Sequence, residues 1–169
     1  MKQDVLLLNG PSSSGKSTLA KELKRQLEEQ YGKTYQIVSI DDFLHMEVGE
    51  TVYEDDVYEI SPRLCVKVEE TLRKQVGVII DHVITSERIY QVLADKINQN
   101  DFFAIKVTCP LNVLLQREKD RRNRTIGTAA SSFEYLYQLK HYDFTVDTSM
   151  HSCEECAQMI MQGLRGIDQ

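Results

Sequence analysis

The feature that most constrains this chain lies near its start. Gly10-Pro11-Ser12-Ser13-Ser14-Gly15-Lys16-Ser17 matches the pattern G-x-x-x-x-G-K-[ST] of a phosphate-binding loop. A short aliphatic run at residues 5–8 precedes it, and Leu19, Leu23 and Leu27 follow at the i, i+4, i+8 spacing of a helix stripe. A strand, a glycine-bounded loop and a helix are the setting this loop requires. The glycines let backbone wrap closely around phosphate oxygens, and successive N–H groups point inward at them. The opening of the helix, at Ser17 and Thr18, adds the positive end of its dipole. Lys16 is expected to reach the β- and γ-phosphates, and the Ser17 hydroxyl to hold Mg²⁺. The ligand these residues predict is ATP.

The rest of the chain alternates in the same way. Brief, mostly β-branched or aliphatic runs occupy residues 36–40, 78–84, 103–108 and 144–146. Continuous apolar strands of this kind suit a parallel sheet covered on both faces. Between them fall helical stripes: Leu64, Val68 and Leu72; then Ile89, Val92, Leu93 and Ile97; then a helix opening after Cys109-Pro110 with Val113 and Leu114. Strands alternating with helices predict an α/β three-layer sandwich with a mostly parallel five-stranded sheet, the nucleotide-kinase-like arrangement of P-loop proteins. At 169 residues, without a repeat or linker, the chain is read as one domain over 1–169.

Composition narrows the partners. Twenty Lys and Arg against 26 Asp and Glu leave a net charge of −6, which argues against binding driven by a nucleic-acid backbone. No apolar run reaches the roughly 18 residues a membrane span requires, and the first residues lack a signal-peptide core. A cytoplasmic protein is expected, its oligomeric state, monomer or homo-oligomer, left open. Cys153 and Cys156 form a C-x-x-C, but with Ala157, Ile160 and Leu164 they fall on one helix face, and no second pair completes a metal site. They are read, with Cys65 and Cys109, as small core residues in a reducing compartment.

The strand ends supply the candidate chemistry, because open α/β sheets place ligands there. The second strand runs into Asp41-Asp42. A carboxylate here would face an acceptor hydroxyl, and Asp41 is the candidate general base, with Asp42 better suited to capping a following helix. The third strand ends at Asp81, as a Walker B strand does, and Asp81 is the second candidate Mg²⁺ ligand. His82, beside it, is read as locally satisfied. Arg117, Arg121 and Arg124 stand at i, i+4 and i+7, one helix face, ahead of Gly127. Such arginines, in a lid over about 117–130, could stabilise charge on a phosphoryl group in transfer, with Arg117 on the nucleotide. The guanine-reading tetrapeptide N-K-x-D is absent, so a GTPase is not expected.

Between Lys33 and Arg63 there is no Lys or Arg, while Asp41, Asp42, Glu47, Glu50, Glu54, Asp55, Asp56 and Glu59 all fall there. A monophosphate would need cations on the acceptor side, ideally bidentate arginine. The expected acceptor is therefore a small neutral or cationic hydroxyl compound. A nucleoside or nucleoside-monophosphate kinase, or a nucleotide-binding regulatory or toxin-like module, are the alternatives.

Taken together, these segments resemble the chloramphenicol phosphotransferase family of P-loop small-molecule kinases. The likeness covers nearly the whole chain: Leu6-Leu7-Leu8-Asn9-Gly10 with the loop behind it, the strand ending at Asp41, the strand ending at Asp81, the arginine stretch, and Tyr142-Asp143-Phe144-Thr145-Val146-Asp147-Thr148 ahead of Glu155-Cys156-Ala157. The resemblance implies a nucleotide-kinase-like fold and transfer of the ATP γ-phosphate to a substrate hydroxyl. It places the family's catalytic Asp on Asp41 and its lid arginines on Arg121 and Arg124.

Overall fold

A computed structural model describes residues 4–44, 52–97, 102–121 and 126–166. Its elements run β1 (Val5–Asn9), α1 (Lys16–Tyr31), β2 (Tyr35–Ser39), α2 (Glu54–Arg73), β3 (Gly77–His82), α3 (Glu87–Ile97), β4 (Phe102–Thr108), α4 (Leu111–Arg121), α5 (Thr128–Glu134), β5 (Phe144–Asp147) and α6 (Cys153–Arg165). A single 3-10 turn, Ile40–Phe43, continues β2. The strands form one five-stranded sheet in the order β2-β3-β1-β4-β5, and every pairing is parallel.

Alternation along each strand divides the core in two. Val5 and Leu7 of β1 join Val78 and Ile80 of β3 beneath Leu64, Val68, Ile89 and Leu93 of α2 and α3. Leu6, Leu8 and Ile79 face the other way, onto the Leu19-Leu23-Leu27 stripe of α1 and onto Ala157, Ile160 and Leu164 of α6. Two buried faces explain why these strands read as unbroken apolar runs.

Strand ends shift by a residue or so from the sequence reading, and two larger differences bear on the site. Strand β3 stops at His82 rather than Ile84, because the Ile84 N–H leaves the ladder and donates to Asn9 Oδ1 at 3.1 Å. Where a helix was expected after Asp42, the chain makes only one 3-10 turn, capped by Ser39, whose hydroxyl accepts the Asp41 N–H at 3.3 Å. The register sets the site. Asn9 of β1 lies level with His82 of β3, and Ser39 of β2 level with Asp81, so the carboxyl ends of three adjacent strands open beside the loop that follows β1.

Candidate active site

The loop between β1 and α1 is built on left-handed backbone at Ser13 (φ 63°) and Gly15 (φ 88°). Such a succession turns N–H groups toward one concavity. Gly10 is fixed by crowding instead: a Cβ there would overlap the Val107 carbonyl oxygen of β4 and lie 3.0 Å from the Val107 Cβ. Pro11 is the acceptor for the loop's cation, since the Lys16 ammonium donates to the Pro11 carbonyl at 2.8 Å. Ser13 Oγ and Ser14 Oγ are buried and meet no partner. Orphaned hydroxyls on a concave backbone fit a phosphate chain, whose oxygens would satisfy them.

Ser17, the second residue of α1, donates its hydroxyl to Asp81 Oδ2 at 2.7 Å. The two residues chosen as Mg²⁺ ligands are thus a contacting pair of oxygen donors, from α1 and the end of β3. No group of three or more acidic, His or Cys side chains gathers into a metal cage among the described residues. Magnesium held by one or two protein oxygens plus phosphates needs no such cage.

Asp41, Ser17, Asp81 and Lys16 line one cleft, together with His82 and Arg121. Asp41 and Asp42, adjacent in sequence, have different surroundings. Asp42 does not cap a following helix as expected: it lies inside the 3-10 turn that Ser39 caps, and its Oδ2 accepts the Ser39 N–H at 3.4 Å, while Asp41 lies on the cleft wall. Arg121 lines this cleft at the end of α4; Arg124 lies outside the described residues.

Arg117 is held by protein. Its Nη2 donates to the Thr148 carbonyl at 2.7 Å and its Nη1 to Thr148 Oγ1 at 3.1 Å, while the Thr148 hydroxyl donates to the Ser14 carbonyl at 2.6 Å. The guanidinium therefore braces the phosphate loop from behind. It also lines a groove with Gly15, Thr18, Arg121, Met150 and His151, and Gly15 and Arg121 line the cleft as well. Burial pushes the Asp147 carboxyl up, but hydrogen bonds from the Ser149 hydroxyl and N–H, with the Met150 N–H and nearby His151, outweigh it and hold the carboxyl below its usual range. These bonds hold the turn whose Ser149 and Met150 line the groove.

His82 overturns the expectation of a locally satisfied residue. It is completely buried against the Val83 backbone, and neither Nδ1 nor Nε2 makes a well-formed hydrogen bond. Burial drives its pKa down to about 4; Lys16 pushes the same way, and the Val83 backbone and Asp41 only partly oppose them. The cysteines divide. Cys156 is buried, its thiol pushed up to about 11 by burial, whereas Cys153 is partly exposed and lines the groove beside Arg117 rather than the core.

Three contributors escaped the sequence reading. Glu118, buried within the basic stretch, accepts the N–H groups of Gly127 at 3.0 Å and Ala129 at 2.7 Å, closing the start of α5. Ser132 Oγ of α5 accepts the Ser12 N–H at 2.9 Å, tying the phosphate loop to that helix. Asn9 donates to the Tyr137 carbonyl and the Tyr142 hydroxyl. Each joins residues far apart in sequence, and no local spacing signals such a bond.

The acidic stretch is partly compensated. Arg88 pairs with Glu54 and Asp55 and lies 4.5 Å from the Tyr58 ring centroid. That pairing, with the Ser86 hydroxyl, lowers the Glu54 carboxyl to about 2. Asp56 accepts the Tyr53 N–H at 2.9 Å. Glu47 and Glu50 fall outside the described residues.

Several solved structures share this architecture. The APS kinase of Mycobacterium tuberculosis, in complex with AMPPNP and APS, aligns at a TM-score of 0.71 and 19% identity, covering 95% of this chain and 96% of that one. A gluconokinase from Sinorhizobium meliloti gives 0.72 at 16% identity, covering 98% and 94%. A shikimate kinase from Acinetobacter baumannii, solved with shikimate, gives 0.62 at 16%, covering 96% and 93%. At these identities the likeness is one of fold. Comparison with curated protein sequences gives no match. Among the described residues no helix is long and apolar enough to cross a membrane. The family profile described as chloramphenicol phosphotransferase-like protein matches residues 3–165, nearly the whole length, and the chain belongs to that family.

Proposed function

We propose that this protein transfers the γ-phosphate of ATP to a hydroxyl group of a small molecule. The observation that carries this function is the convergence of Lys16, the Ser17–Asp81 pair and Asp41 on one cleft at the ends of three adjacent strands. A phosphate cradle with a carboxylate on its rim suits in-line transfer to an alcohol. The loop N–H groups and Lys16 bind and orient the β- and γ-phosphates. Ser17 and Asp81 would hold Mg²⁺, which supplies charge neutralisation on the phosphates when bound. Asp41 accepts the proton of the attacking hydroxyl as its oxygen bonds to the γ-phosphorus. The bond from that phosphorus to the β–γ bridging oxygen breaks, and ADP is the leaving group. Arg121, on the same cleft, is placed to meet charge on the equatorial oxygens, and Arg124 takes the same role in this proposal.

A neutral or cationic acceptor fits the absence of Lys and Arg between Lys33 and Arg63. Arg88, a cation that could have welcomed a monophosphate, is committed to Glu54 and Asp55. The test is acceptor-dependent ADP release from purified protein with ATP and Mg²⁺. The panel contains chloramphenicol, neutral sugars and polyols, amino alcohols and nucleoside monophosphates. Turnover with a neutral or cationic alcohol, abolished by Lys16→Ala, is the expected result. Preference for a monophosphate would replace this assignment with a nucleotide kinase.

A further inference from the structure

The C-x-x-C at the start of α6 has no part in the transfer as described, and its two sulfurs lie in unlike places. Cys153 is the first residue of the helix and is partly exposed on the wall of the groove beside Arg117. Cys156, one turn on, is fully buried in the core with Leu8, Val146 and Ile160. Two cysteines kept only for packing would both be buried. An exposed thiol one turn from a buried thiol, at a helix N-terminus, is the arrangement of an exchangeable dithiol. Burial pushes the Cys156 thiol up to about 11, so Cys153 is the sulfur that reacts first.

Both are thiols in this structure. Residues three apart on a helix have Cβ atoms roughly 5–6 Å apart, and a disulfide needs about 3.5–4.5 Å, so closing it tightens the first turn of α6 by about 1.5 Å. Cys156 is locked in the core, so Cys153 and the turn before it make the move. Cys156 Sγ lies 3.8 Å from the Asp147 carbonyl oxygen and 3.9 Å from that of His151, contacts that its S–H gives up on oxidation. Between those two carbonyls sits Thr148, whose hydroxyl donates to the Ser14 carbonyl of the phosphate loop and accepts from Arg117. A change at the sulfurs reaches the loop through this turn.

We infer that Cys153 and Cys156 form a reversible disulfide that shifts the turn over 147–152 and, through Thr148, loosens the phosphate loop, so that nucleotide affinity falls when the pair is oxidised. This rests on the proposed nucleotide site and adds a regulation to it. The oxidant is a low-molecular-weight disulfide. Cys153, as thiolate, attacks one of its sulfurs to form a mixed disulfide, and the first small thiol leaves with the proton that Cys153 lost. The Cys156 sulfur then attacks Cys153 Sγ, and the second small thiol leaves with the Cys156 proton. Two protein thiols are oxidised, and one small disulfide is reduced to two thiols.

The test equilibrates the full chain with glutathione and glutathione disulfide in varied ratio. It reads the Cys153–Cys156 bond by peptide mass after alkylation, and the Kd of a fluorescent ADP analogue. A bond between these two residues is expected, with the Kd raised about fivefold or more, the lower range of coupling between sites. Coupling is reciprocal, so saturating ADP should lower the equilibrium constant for oxidation by the same factor. In Cys153→Ser the Kd no longer follows the glutathione ratio, and Cys156→Ala stops at the mixed disulfide on Cys153. Failure of the bond to form in the wild type, whether a mixed disulfide persists or both thiols stay reduced, would overturn the inference. So would an oxidised pair whose Kd stays within about twofold of the reduced protein. If the reduced protein binds no nucleotide, the transfer proposal fails, and amide hydrogen exchange decides the inference separately. Faster exchange at Ser14, Gly15 and Thr148 in the oxidised protein upholds it, and equal exchange in both forms overturns it.

Discussion

Neighbouring carboxylates at residues 41 and 42 have different surroundings. The Asp42 side chain is occupied by the Ser39 N–H, while Asp41 lines the cleft shared with Lys16 and Asp81. Asp41→Asn is therefore expected to lower kcat by about 10²-fold or more with nucleotide affinity intact, the range lost with a general base. Asp42→Asn should mainly loosen the 3-10 turn; a larger kcat loss there would mean that the two carboxylates had been assigned the wrong way round. Arg121→Ala should lower kcat more than it raises the KM for ATP, because its contact strengthens as charge develops. A pure KM effect would place Arg121 on ground-state phosphate. The sequence separated Asp41 from Asp42 by expecting Asp42 to cap a following helix; the cap is instead Ser39, and Asp42 returns a contact to the Ser39 N–H. The burial of His82 was not visible in the sequence, since it is a property of everything packed around it.

Helix α5 shows how an element of seven residues, too short to be stable by itself, is kept in place. Gly127 adopts φ 101° at its start, and the buried Glu118 carboxylate from α4 takes two of its exposed N–H groups, so a negative charge meets the positive end of the helix. Ser132 then passes the anchorage to the phosphate loop through the Ser12 N–H. Glu118→Ala leaves the Gly127 and the buried Ala129 N–H groups without this acceptor, at a cost of about 1–3 kcal/mol. Faster amide hydrogen exchange at Gly127, Ala129 and Ser12, with weaker binding of an ATP analogue, is the expected signature. Exchange confined to α5 would show that the loop does not depend on it. The sequence displayed a basic stretch and its arginine face, and Arg117 and Arg121 do line one groove. The acidic residue embedded among them works across a connection of nine residues, which helix periodicity cannot register.

At the scale of the whole molecule, the sheet was the most legible part, because two-sided burial writes itself as continuous apolar strands and leucine stripes. What those runs leave unstated is how the chain after α5 closes over the sheet's end. That closure converges on Asn9, a fully buried amide at the last position of the central strand. Its Nδ2 donates to the Tyr137 carbonyl at 3.1 Å and the Tyr142 hydroxyl at 2.9 Å, and its Oδ1 accepts the Ile84 N–H. The Tyr137 N–H in turn donates to the Ile84 carbonyl at 2.8 Å, so one side chain joins the end of β1, the turn after β3 and the segment before β5. Asn9→Leu keeps the volume and removes all three bonds, leaving the Ile84 N–H and the Tyr137 carbonyl with one partner fewer. A loss of about 2–4 kcal/mol is expected, several net bonds plus the desolvation of their stranded partners. In urea unfolding this should appear as a lower midpoint at unchanged slope, since the surface exposed on unfolding is the same. Because Asn9 lies level with His82 at the cleft, the variant should also bind acceptor less well than it binds ATP. A midpoint shift without any change in acceptor KM would confine Asn9 to the scaffold.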